Sequence, residues 1–346
     1  MHPYEHGGNV YAGPPVTVDF SSNLNPLGMP DAVKRALTAD PARFEIYPDP
    51  ACTALRRAVA AYHGLEPEDI LPGNGADDMI YRLCTVLRPK KVLLTAPSFS
   101  EYAKAARAAG AELKYHALRE ADGFAVTEAF CDDITPDVDL VWLCTPNNPT
   151  GRTVSPPVLR RAAERCEALG VRLVIDECFL CFTDAPSCTA WLPDFRCLAV
   201  LDAFTKRFAM AGLRLGYLMS RDHALLERLR EGGPCWNVSG PAQVCGAAAL
   251  ADPVPYMARA RKIIDEESRW LSRQLSDLGM KVYPPEANYV FFRSPFPLAQ
   301  PLRARGLLIR SCANYPGLGE GYYRICVHTH EKNVMLIEAL REVLHG

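Results

Sequence analysis

No apolar stretch in this sequence approaches the roughly 18 residues that a membrane-spanning helix needs. No basic run marks a nucleic-acid surface, because 38 lysines and arginines face 40 acidic residues and leave a formal charge of −2. The opening residues, MHPYEHGGNV, are polar and hold no signal-peptide core. A cytoplasmic location is therefore expected, with neither nucleic acid nor membrane as partner. Internal repeats and low-complexity segments are missing as well. The single C-x-x-C, Cys178 to Cys181, has no second pair, and His328 and His330 have no third ligand, so no metal site is expected.

Cysteine itself is plentiful, with thirteen residues. Several of them, such as Cys84, Cys144, Cys166 and Cys326, fall on apolar faces. That pattern suits buried, reduced thiols better than a disulfide framework. A chain of 346 residues, 49% of them hydrophobic, has room for a large domain and a smaller one.

From residue 76 to about residue 204, helix-like and strand-like stretches alternate. The strands KVLLTAP, DLVWLCTP, RLVIDECF and CLAVLDAF are almost continuously apolar. This predicts an α/β fold, a mostly parallel sheet covered by helices on both faces. Before it, HGGN, GPP and SSNLNPLG read as an extended arm with few contacts of its own. Helices are expected from Asp31 and over 51–63, with a turn at Tyr47-Pro48-Asp49. After about residue 232 the pattern changes to one long helix over 256–278, three strands (KVYPPEANYVFFR, GLLIRSC and YYRICVHT) and a final helix over 332–344. The expected organisation is an arm and joining segment (1–45), a large domain (46–232) and a small α+β domain (233–346).

In sheets of this kind ligands gather at the carboxyl ends of the strands. The chemically suggestive residues fall there. The strand CLAVLDAF runs into Thr205-Lys206, and Arg214 follows eight positions later. A lysine at the end of a buried strand has a lowered pKa, and a neutral amine can attack an aldehyde. Arginine can clamp a phosphate with its planar fork. Together they suit pyridoxal phosphate, although the stretch alone also suits a surface corner after a core strand. Asp176, ending RLVID, could pair with a protonated pyridine nitrogen or be an ordinary strand-end carboxylate. Asn148 could donate to a phenolic oxygen or simply belong to an Asn-Pro turn. Gly75, Ala76 and Asp77 could present helix-start N–H groups to a phosphate. Phe99 could stack on a flat ring or pack in the core.

These five features, in this order on one alternating sheet, resemble the fold-type I pyridoxal-phosphate enzymes of the aspartate aminotransferase superfamily along essentially the whole chain. The resemblance implies Lys206 as the lysine that bonds the cofactor, Arg214 with Gly75, Ala76 and Asp77 at its phosphate, Asp176 at its ring nitrogen, Asn148 at its hydroxyl and Phe99 against its ring. Tyr47 matches a tyrosine that reaches the neighbouring subunit's cofactor, which implies a homodimer with shared sites. Two positions depart from the pattern. Phe179 replaces a tyrosine and removes a donor to the ring oxygen. Ala203 replaces a serine or threonine and removes one phosphate hydrogen bond, worth about 0.5–1.5 kcal/mol or more for a charged acceptor; Thr205 is a candidate to compensate.

Within the superfamily, HGGN, DFSSNLNPLGMP, LCTPNNPTG and IRSCANYPGL resemble the decarboxylases of O-phospho-L-threonine that serve cobalamin synthesis, relatives of the histidinol-phosphate aminotransferases. Phe179 fits that branch. The resemblance implies a phosphorylated amino-acid substrate and His6, Asn23, Asn148, Arg310 and Arg324 as the residues that hold it, with His328 departing from the branch. The alternatives are decarboxylation of O-phospho-L-serine, transamination of histidinol phosphate or an aromatic amino acid, and a non-catalytic sensor of the same fold.

Overall fold

In the computed structural model of the protein, residues 6–345 are described. The start of the predicted arm, residues 1–5, lies outside them. Strand β1 (Val18–Asp19) precedes a seven-stranded sheet made of β2 (Ile70–Gly73), β3 (Lys91–Ala96), β4 (Glu112–Ala117), β5 (Leu140–Cys144), β6 (Arg172–Asp176), β7 (Leu198–Ala203) and β8 (Gly216–Met219), in the order β2-β8-β7-β6-β5-β3-β4. The strands from β7 to β4 are parallel, and β8 runs antiparallel to both its neighbours. Every residue of β5 and β7 is buried, as continuous apolar strands covered on both faces must be. Edge strand β4 is more polar and only partly covered.

A second sheet, β12-β13-β10-β9, is built from β9 (Lys281–Val282), β10 (Tyr289–Arg293), β12 (Arg310–Ser311) and β13 (Tyr322–Cys326), and it is antiparallel throughout. Strand β11 (Leu307–Leu308) instead pairs in parallel with β1. Helices Pro253–Asp277 and His330–His345 accompany this part.

The packing departs from sequence expectation in four places. The segment after Thr17 is no loose arm: Phe20, Ser21, Asn23 and Asn25 are all buried, and Asn25 donates to the carbonyl of Arg207. The predicted strand over 281–293 is broken after Val282, where Pro284 and Pro285 cannot donate to a ladder. The run GLLIRSC serves two sheets, β11 and β12, rather than one. Two helices carried no recognised signal, His223–Glu231 and Gly240–Ala249. The second buries Ala242, Cys245 and Ala249 in the core that also holds residues of β5, β6, β7 and β8.

Four helices matter for the site or its frame: α1 (Asp31–Thr38), α2 (Thr53–His63), α3 (Ala76–Leu87) and α4 (Ser100–Ala108). Helix α3 starts where β2 ends, and α4 where β3 ends. Both therefore aim their N-termini at the carboxyl edge of the sheet.

Candidate active site

A cavity of about 400 Å³ lies at that edge, between the ends of β3, β5, β6 and β7 and the strands β12 and β13. Lys206 reaches it from a single helical turn, Phe204–Arg207, that follows β7. That turn is anchored from below: Arg207 Nη2 donates to Asp202 Oδ2 at 2.5 Å, and the Tyr217 hydroxyl donates to the same oxygen at 2.9 Å. Lys206 is accessible from the cavity and enclosed elsewhere. Burial lowers its pKa to about 8, Arg324 and Arg214 push the same way, and Cys178 and Asp77 oppose them. Its Nζ lies 5.9 Å from the centre of the Phe179 ring.

Asp176 ends β6 and is buried. Its Oδ1 accepts from the backbone N–H of Cys178 at 2.9 Å and its Oδ2 from the Tyr102 hydroxyl at 2.5 Å. Burial raises its pKa, and these hydrogen bonds oppose the rise. Asn148, Phe99, Phe179, Ala203 and Thr205 line the same cavity.

At the start of α3 the chain is shaped by two glycines. Gly75 has φ +89°, and a Cβ there would lie 2.6 Å from Arg214 Nη2. A Cβ on Gly216 would lie 2.6 Å from the backbone nitrogen of Ala76. Only glycine lets β8, the helix start and the guanidinium crowd together in this way. Gly75 supplies no capping side chain, so the first N–H groups of α3 stay open to an anion. Arg214 Nη2 contacts Asp77 Oδ2 at 3.2 Å.

The opposite wall carries two arginines. Arg310 on β12 and Arg324 on β13 are register partners, both only 5% exposed. Like charges directly opposite each other are destabilising. Neither forms a salt bridge to a described residue. Arg310 donates to Asn314 Oδ1 at 2.8 Å and to the Ser311 carbonyl at 2.7 Å, and its guanidinium lies 5.2 Å from the Tyr315 ring centre. Arg324 donates to Asn148 Oδ1 and to the Ser21 carbonyl, and its buried Nε has no partner among the described residues. Nearby, both amide atoms of buried Asn23 also lack partners among the described residues. Desolvated groups left in this state leave a site short of a polar ligand.

His6 completes the rim. Its Nε2 lies 2.7 Å from Glu101 Oε1, which Lys104 Nζ also contacts at 2.5 Å.

Two residues stand apart. Tyr47 is exposed and stacks on Trp236 at 4.3 Å, outside the cavity. His328 turns to the Asp19 carbonyl at 3.0 Å and packs edge-on against Phe20. Among the lining residues that sequence reasoning passed over are Glu101, Tyr102, Lys104 and Tyr315. Tyr315 sits inside the motif IRSCANYPGL, and Tyr102 falls three positions after Phe99, within one turn of α4, so both could have been found from spacing.

The family model for aminotransferases of class I and II matches residues 15–340. The chain belongs to this family. One relative, threonine-phosphate decarboxylase of Salmonella typhimurium, is 38% identical over 99% of this chain and 97% of its own. Among solved structures, histidinol-phosphate aminotransferase of Clostridium acetobutylicum superposes with a TM-score of 0.87 at 27% identity, covering 94% of this chain and 98% of that one. L-threonine-O-3-phosphate decarboxylase of Porphyromonas gingivalis shares the fold, with a TM-score of 0.83 at 24% identity, over 94% and 99% of the two chains.

Class I and II aminotransferase-family enzymes use pyridoxal phosphate, and the residues here fit that group. An amine of lowered pKa, a buried strand-end carboxylate and an uncapped helix start crowded by an arginine all open on one cavity. Among the described residues no helix is long and apolar enough to cross a membrane.

Proposed function

We propose that the protein decarboxylates O-phospho-L-threonine to (R)-1-amino-2-propanol O-2-phosphate, a step of cobalamin biosynthesis. The relative in Salmonella, 38% identical along nearly the whole chain, supports this reading. The observation that carries it is the pair Arg310 and Arg324, buried, register-matched and without a carboxylate partner among the described residues.

Lys206 would bond the cofactor. Ala76, Asp77 and Thr205, with Arg214, would hold its phosphate where Gly75 makes room. Asp176, Asn148 and Phe99 would face its ring nitrogen, hydroxyl and flat face. Phe179 offers the hydroxyl no donor. When bound, pyridoxal phosphate supplies an aldehyde for the amine and a ring that takes up the electron pair left by departing carbon dioxide.

The remaining chemistry belongs to the chain. A phosphate monoester carries a charge near −2 at neutral pH and is the strongest claimant for two adjacent guanidinium groups. His6 and Asn23 line the same cavity and would complete its binding. With both arginines on the phosphate, neither holds the α-carboxylate, which is free to leave. Lys206 Nζ, a weak acid of lowered pKa, then returns a proton to the α-carbon. Exposed Tyr47 suits a role across a homodimer interface, and a cytoplasmic location belongs to the same reading.

The test is a product pattern. Incubation with phosphothreonine should release carbon dioxide and aminopropanol phosphate with no keto acid added. Phosphoserine and histidinol phosphate run beside it as competitors. Stoichiometric build-up of pyridoxamine phosphate, reversed by a keto acid, would replace this reading with transamination.

A further inference from the structure

Asp176 is one of the least comfortable charges in the protein. The titratable groups facing it include Tyr102 from α4, Cys144 at the end of β5, Cys178 just beyond β6, Asp202 on β7 and Tyr289 on β10. None of these is a cation, Asp202 is a like charge, and the Lys206 amine lines the same cavity. A buried carboxylate in such company drifts toward its neutral, protonated form. A protonated ring nitrogen needs the opposite, an ionised partner.

Two hydrogen bonds oppose the drift, one on each oxygen. The first, from the Cys178 N–H, is part of the backbone. The second is a side chain, the Tyr102 hydroxyl on Oδ2 at 2.5 Å. Its ring is fully buried, stacks on Trp142 at 4.8 Å with an interplanar angle of 10°, and meets Phe99 edge-on at 5.6 Å. The hydroxyl therefore has one place to be. Burial and the adjacent Asp176 charge push the Tyr102 pKa well above its ordinary value, so the phenol stays protonated and is always the donor. A carboxylate oxygen has two acceptor positions. With one taken on each oxygen, the carboxylate is held against rotation and still has a lone pair to offer.

We infer that Tyr102 is a positioning residue that acts through Asp176, holding that carboxylate ionised and oriented for the cofactor's ring nitrogen. This rests on the cofactor reading above and is independent of which substrate is used. The bland alternative is that Tyr102 is a core aromatic whose hydroxyl merely found a neighbour.

The substitution Tyr102→Phe separates the two, since it keeps the stacked ring and removes one oxygen. The apoenzymes of wild type and Tyr102→Phe are titrated with two probes, pyridoxal phosphate and its 1-deaza analogue, in which carbon replaces the ring nitrogen. Binding is read from quenching of protein fluorescence. At pH 7 the variant should bind pyridoxal phosphate about tenfold more weakly, as for loss of a hydrogen bond to a charged group. The gap should narrow as pH rises and Asp176 ionises without help. The deaza analogue, which has no ring proton to match, should bind the variant as well as wild type or better. An unchanged affinity for pyridoxal phosphate overturns the inference. So does an equal loss with both probes, which would show that the hydroxyl only supports the fold. Failure of wild type to bind pyridoxal phosphate at all would overturn the cofactor reading and this inference with it.

Discussion

Arg324 donates through Nη1 to Asn148 Oδ1, and so ties β13 of the second sheet to the loop after β5 of the first. A guanidinium has only donors to offer. The amide oxygen of Asn148 must therefore face it, and the Nδ2 donor is left to the cavity that Asn148 lines. One arginine thus does two things: it presents charge for a substrate anion and sets which end of Asn148 a cofactor hydroxyl would meet.

The two arginines should separate on mutation. Arg310→Ala should leave pyridoxal phosphate bound and weaken phosphothreonine by about 2–5 kcal/mol, roughly 30-fold or more in KM. Arg324→Ala should do the same and also shift the cofactor's absorbance, because Asn148 is released. Steady-state kinetics and a spectrum of each holoenzyme check this. Lost turnover at unchanged KM would point away from anion binding.

Lys206 should form the covalent link. Borohydride treatment of the wild-type holoenzyme should fix the cofactor to the chain, and Lys206→Ala should abolish that fixation. Peptide mapping that still finds a reduced adduct on the variant would move the role to another lysine.

The pH dependence of reconstitution has a definite sign. Only the neutral amine attacks an aldehyde, and burial brings the Lys206 pKa down to about 8. The rate of cofactor capture by apoenzyme should rise with pH and level off above about 8. For a lysine of ordinary pKa it would go on rising toward pH 10. Stopped-flow absorbance across pH 6 to 10 distinguishes the two.

Ala203 lines the cavity but brings no hydroxyl. Ala203→Ser should slow cofactor loss several-fold, in keeping with one regained hydrogen bond. Dissociation in the presence of a trapping apoenzyme measures it, and an unchanged or faster rate would count against a missing phosphate contact.

Glu101 latches the described start of the chain. It accepts from Lys104 and the Tyr81 hydroxyl and contacts His6 at 2.7 Å. Burial would raise its pKa, yet these partners hold it down to about 2. A depressed carboxylate pKa means that the contact is at full strength above the ordinary carboxylate range and is lost as pH falls toward about 2. Glu101→Gln should expose the segment from His6 to Gly13 to limited proteolysis and raise KM for the phosphorylated substrate several-fold. Mass spectrometry of early cleavage products gives the readout.

Sequence alone determined the frame of this protein. Continuous apolar strands such as those containing Leu140–Cys144 and Leu198–Ala203 could be satisfied only inside a covered parallel sheet, and hydrophobic burial enforced that order. It also placed Lys206, Asp176, Asn148 and Phe99 at strand ends, because strand length and the following turn are local properties. Tertiary structure decided what local pattern does not encode. That Arg310 is paired with Arg324, fourteen positions on in sequence, follows from the antiparallel register of β12 and β13. That Gly216 must be glycine follows from how closely β8 passes the start of α3. That Tyr102 meets Asp176 follows from α4 packing on α3, β3 and β4, so that the Tyr102 ring lies over Trp142 of β5 and its hydroxyl reaches the end of β6, 74 positions further along the chain. Each is a contact between distant segments, and distance in sequence leaves no periodicity to read.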